Sequence, residues 1–80
     1  MQKAYFINKD CLYEEFAIEP HPGKTGRFVI THYRQFQVCR FRMRAFNGKE
    51  FKSNTSASNY LLLKLNQRLA AGEIKDFTVV

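Results

Sequence analysis

An α+β domain is the fold class this sequence predicts: a small antiparallel sheet of about four to five strands packed on one C-terminal helix. Three observations predict it. Residues from Arg27 to Lys52 are rich in β-branched and aromatic types, and in their second half apolar and charged side chains alternate. After Ser53 the apolar residues switch to the period of a helix. A loop carrying two prolines and two glycines, Glu19 to Gly26, sets both apart from two shorter apolar stretches at the N-terminus.

Taken in order, Ala4 to Asn8 reads as a first strand and Leu12 to Ile18 as a second. Beyond the Pro/Gly loop, Arg27 to Tyr33 forms a third. From Gln37 to Phe46 parity sorts the side chains: Cys39, Phe41, Met43 and Ala45 are expected on the core face, and Arg40, Arg42 and Arg44 on the other. Asn47-Gly48 then marks a hairpin. A two-residue turn would set Phe51 opposite Arg44 and Lys52 opposite Met43. A loop Phe46-Asn47-Gly48 with Gly48 left-handed instead pairs Met43 with Phe51, Arg44 with Glu50 and Arg42 with Lys52, so both faces agree. The capping cluster Ser53 to Ser58 leads into a helix over Tyr60 to Leu69, with Ser58, Leu61, Leu62, Leu65 and Leu69 as its packed stripe and Gly72 as its C-terminal cap. Ile74 to Val80 is apolar and β-branched enough for a final short strand, or equally for a packed tail.

Residues 1–80 make one domain, because the apolar residues left over could not assemble a second core. Eight Phe and four Tyr place the chain among folded sequences. No run approaches the roughly 20 apolar residues of a membrane-spanning helix, so no membrane partner is expected. The N-terminus has no apolar segment ending in a small-residue cleavage site, which predicts an intracellular, cytoplasmic protein. Cys11 and Cys39 accordingly read as reduced, partly buried thiols.

Catalytic motifs are not recognisable. Gly23-Lys24-Thr25 resembles the end of a phosphate loop, but Ile18 stands where that motif needs glycine. Cys11, His21, His32 and Cys39 are spaced too widely for the paired ligands of structural zinc. Glu14 and Glu15 point to opposite faces of a strand and read as solvent charges, not as a catalytic pair. Neither enzyme activity, a metal nor a cofactor is expected.

Charge is the informative signal. The net charge is +6, and the segment from residue 24 to 52 holds eight cations, Lys24, Arg27, Arg34, Arg40, Arg42, Arg44, Lys49 and Lys52, against Glu50 alone. Same-face residues of a strand stand about 6.6–6.8 Å apart, close to the phosphate spacing of a nucleic-acid strand, so Arg40, Arg42 and Arg44 form a candidate phosphate-binding row. Lys24, Arg27, Arg34 and Lys52 add to it, and Tyr33, Phe36 and Phe46 are stacking candidates. The expected function is therefore non-catalytic nucleic-acid binding, DNA before RNA. The alternative is a small protein-binding modulator or inhibitor of the phage accessory type. Its basic face docks on an acidic protein surface, and Tyr60, Leu63, Gln67 and Ala70, opposite the packed helix stripe, form a partner or homodimer surface.

The segment Cys39-Arg40-Phe41-Arg42-Met43-Arg44-Ala45-Phe46-Asn47-Gly48-Lys49-Glu50-Phe51 and the leucine-rich helix after it resemble the sheet-plus-helix DNA-binding domains of phage-integrase arms and AP2-type factors. The resemblance covers about half of the chain. It implies a sheet in the major groove, with Arg40, Arg42 and Arg44 reading DNA and Arg34 and Lys52 on backbone phosphates.

Overall fold

Alternation of apolar and polar residues produces six strands, and the leucine-rich segment produces one helix. In chain order they are β1 Lys3–Asn8, β2 Tyr13–Pro20, β3 Phe28–Phe36, β4 Cys39–Arg44, β5 Glu50–Phe51, α1 Asn54–Ala70 and β6 Ile74–Val79. The computed structural model describes the backbone of residues 1–80 and every side chain but that of Phe36. The strands form one antiparallel sheet in the order β4-β3-β2-β1-β6, with β5 also on β3. The final strand thus crosses the sheet to pair with β1, carried there by the helix. The expected α+β class, the single C-terminal helix and the short final strand are what the chain forms.

The tight hairpin lies elsewhere than the Asn-Gly pair suggests. It joins β3 to β4 through Gln37 and Val38, with Phe36 opposite Cys39 and Gln37 at φ 55°. β5 does not fold back on β4. Both lie along β3, Thr31 facing Arg44 and Val29 facing Glu50, and Phe46 to Lys49 are looped out between them. Phe46, Asn47 and Gly48 are all left-handed, with φ of 53°, 56° and 72°. That turn is closed by Gly48 N–H on Ala45 C=O at 3.1 Å and Lys49 N–H on Phe46 C=O at 3.1 Å. Gly48 is left-handed as expected, but the chain resumes its direction instead of reversing. The reason lies in β3, which is long enough to pair with both pieces, and in Phe46. The excursion swings that ring onto the core, 5.5 Å from Phe16 and 5.2 Å from Tyr60 between centroids.

The helix starts earlier than its leucines, because Ser53 caps it: its Oγ accepts from the Ser56 N–H at 3.1 Å. It ends with Gly72 at φ 74°, Glu73 N–H bonding Arg68 C=O at 2.9 Å and Gly72 N–H bonding Leu69 C=O at 3.1 Å, the paired bonds of a glycine C-cap. The packed stripe is Ala57, Leu61 and Leu65. The expected stripe members Leu62 and Leu69 are 40% and 38% exposed. The helix is rolled toward β5, where Tyr60 meets Phe46 and Phe51, each at 5.2 Å between centroids. Beneath it, Ala4, Phe6, Phe16, Ile18, Ile30, Ala45, Phe51 and Ile74 complete the core. Burying each of its large side chains contributes on the order of 1.5–3 kcal/mol. No helix is long and apolar enough to cross a membrane.

Candidate functional site: the sheet face without a helix

Strand register decides what stands on the uncovered face. Residues directly opposite in an antiparallel pair share a face, so Thr31–Arg44, Tyr33–Arg42 and Gln35–Arg40 place the three arginines with the alternate residues of β3. The same reasoning carries Glu15 and Ala17 of β2, and Lys3 and Tyr5 of β1, to that side. Core residues Phe6, Phe16 and Ile30 occupy the other. The arginines therefore line one margin of an open face on which Ala17, Val29 and Thr31 are nonetheless buried.

Their guanidinium groups are held differently. Arg40 lies 4.3 Å above the centre of the Tyr33 ring and meets Glu15 at 3.2 Å; Lys3 approaches the same carboxylate at 3.8 Å. Arg44 donates to Thr31 Oγ1 at 3.0 Å. Arg42 makes no ion pair within 4.0 Å among the described residues. Behind Arg42 and Arg44 stands Glu19, which accepts from the Tyr33 hydroxyl at 2.7 Å. Burial alone would raise the Glu19 carboxyl, but hydrogen bonds from Thr31 and Tyr33 and the fields of Arg42 and Arg44 outweigh it, and the group sits below its ordinary value. The same Glu19 bond raises the Tyr33 phenol. Two shallow depressions result. One, of about 400 Å³, is lined by Tyr5, Tyr13, Tyr33 and Arg40; the other, of about 540 Å³, by Glu19, Pro22, Arg42 and Arg44.

Not every residue singled out in the sequence joins this face. Arg34 points to the helix side, 3.3 Å from Glu14, because it pairs with Phe41, whereas the three arginines pair with the odd-numbered residues of β3. Lys24 pairs with Glu50 at 2.8 Å, and Arg27 acts on the same carboxylate, so Glu50 offsets the loop and not Arg44. Lys52 follows β5, beyond the end of β3 that pairs with the arginines, and does not face Arg42. Tyr33 is on the face; Phe46 is packed beneath the helix; the Phe36 side chain lies outside the described residues. Of the helix residues, Tyr60 is packed against the core, whereas Leu63 and Gln67 are exposed. Lys3, Tyr5 and Tyr13 were missed. The alternation Lys3-Tyr5-Ile7 carries the signal of the first two, but only the pairing with β2 tells which face it is on.

The helix side of the same hairpin is also unlike the expectation. Phe41 and Met43 have the parity of the core but are 53% and 55% exposed, because the helix ends short of them; Cys39, Cys11 and Leu12 are exposed as well. Phe41 and Met43 line a cleft of about 300 Å³ with Leu12 and Tyr13. Its floor is Glu14, which is no solvent charge: it accepts from Asn8 Nδ2 at 2.6 Å and contacts His32 Nε2 at 2.5 Å. His32 itself lies against Phe16, 4.9 Å between centroids. Among the described residues no three His, Cys, Asp or Glu side chains gather to hold a metal ion. Comparison of the chain with protein-family models, with curated proteins and with solved structures finds no significant match.

Proposed function

We propose that the chain is a non-catalytic domain that binds single-stranded nucleic acid on its helix-free sheet face. One observation carries the reading: Arg40, Arg42 and Arg44 stand in a row on the face that no helix covers, beside Tyr5, Tyr13 and Tyr33. Phosphates track the arginine row while bases stack on the tyrosines, the two elements of a single-strand platform. Glu15 and Glu19 offset part of the charge, yet Lys3 and the three arginines outnumber them, and Glu15 holds Arg40 in place before a ligand arrives. A duplex fits less well. Five strands about 4.7–4.9 Å apart make a face roughly 19 Å across, wider than the major groove at about 12 Å. Only the β4 margin could enter it.

Fluorescence anisotropy with labelled single-stranded DNA and RNA of matched sequence tests this and separates the two. Three neutralised phosphates imply a loss of affinity of about twentyfold between about 50 and 200 mM salt. Replacing Arg42→Glu together with Arg44→Glu should abolish binding without unfolding the domain, since both side chains are exposed. Undiminished binding by this double variant sinks the reading.

A further inference from the structure

β4 is an open edge whose two sides differ in chemistry and whose free backbone groups can be assigned. Ala45 N–H donates to Ile30 C=O at 2.9 Å. Because bonded and non-bonded pairs alternate along an antiparallel ladder, Met43 and Phe41 also turn their amides toward β3. The amides and carbonyls of Arg40, Arg42 and Arg44 then point outward, away from the sheet. This edge offers three unpaired backbone positions, guanidinium groups on one side and the exposed apolar side chains of Phe41, Met43 and Leu12 on the other.

We propose that β4 is the docking edge for an extended acidic segment of another protein, added to the sheet as a further strand in which carboxylate side chains alternate with apolar ones. Parity dictates that pattern. A residue opposite an arginine shares its face, so it must be acidic; its neighbours fall beside Phe41 and Met43, so they must be apolar. A second copy of the chain does not fit. Pairing β4 with itself about a two-fold axis brings outward-facing residues together, and these are arginines in every register: Arg42 on Arg42 and Arg40 on Arg44 in the centred one. The proposal does not rest on nucleic-acid binding, although both ligands need Arg42 and should compete.

The test uses the full chain and a labelled peptide of about nine residues alternating Glu and Val, with two controls: Lys in place of Glu, and the Glu peptide N-methylated at the amides that would face β4. The Glu peptide should bind and slow hydrogen exchange at the amides of Arg40, Arg42 and Arg44. N-methylation should weaken it at least about tenfold, since several hydrogen bonds are lost together. Phe41→Asp should weaken the peptide similarly but leave oligonucleotide affinity within about twofold, because Phe41 is on the other side of the sheet. Equal binding of either control, absence of binding, or unprotected arginine amides overturns the proposal. Peptide capture by a protein that ignores oligonucleotides supports it and removes the nucleic-acid reading instead.

Discussion

Ile30 and Phe41 lie on the same face of the same sheet, on neighbouring strands, yet Ile30 is 1% exposed and Phe41 53%. The difference is cover. The end of β3 that carries Ile30 lies under Leu61 and Leu65 of the helix, whereas the hairpin formed by the rest of β3 and β4 projects past it. Alternation therefore fixes which side a residue faces, while burial depends on what another element brings to that side. The most direct way to break the comparison is to truncate one residue in each region. Leu61→Ala should cost about 2–5 kcal/mol in urea unfolding, because a fully buried leucine leaves a cavity beneath a packed helix. Phe41→Ala should stay within about 0.5 kcal/mol. Comparable losses at both positions would mean that the overhang is part of the cooperative core.

Loosening the cover without touching the core sharpens the same contrast. Ser53 satisfies the Ser56 N–H at the start of the helix, and Ser53→Ala should cost about 1 kcal/mol. In a domain of this size that lowers the melting temperature by roughly 4–8 °C. Oligonucleotide affinity, which depends on the opposite face, should be unchanged. A variant that melts normally would show that the first helical turn contributes little to holding Leu61 in place.

What could be read in the sequence divides along the same line. The arginine row was legible because its evidence is local: three alternating residues on a single strand need no partner to share a face. The helix and its glycine cap were legible for the same reason. The fate of Asn47-Gly48 was not, because the choice between a hairpin and an excursion depends on β3 having free pairing positions on both sides of the turn and on a pocket that accepts Phe46. The true hairpin, Gln37-Val38, carries no turn residue at all and is imposed by the pairing of the strands around it. Arg34 and Lys52 were grouped with the row by charge in sequence, but a one-residue change of parity sends Arg34 to the other side, and the four-residue excursion carries Lys52 away along β3.

The smallest expected effect concerns the charge balance of the uncovered face. The Glu19 carboxyl is held below its ordinary value by hydrogen bonds from Thr31 and Tyr33 and by Arg42 and Arg44, which prevail over the opposing effect of its partial burial. Its contribution to stability is therefore complete above the ordinary carboxylate range and disappears as pH falls through the lowered folded value. Glu19→Gln keeps an acceptor for the Tyr33 hydroxyl but removes the charge, so the stability gap between parent and variant should close on acidification. Oligonucleotide affinity should move the other way. With one anion fewer beside Arg42 and Arg44, the variant should bind a few-fold more tightly near neutral pH, and the parent should approach it as Glu19 protonates. Weaker binding by the variant would make Glu19 a residue that positions the arginines, its charge serving the ligand instead of opposing it, and Glu15 and Glu19 would then both belong to the binding surface itself.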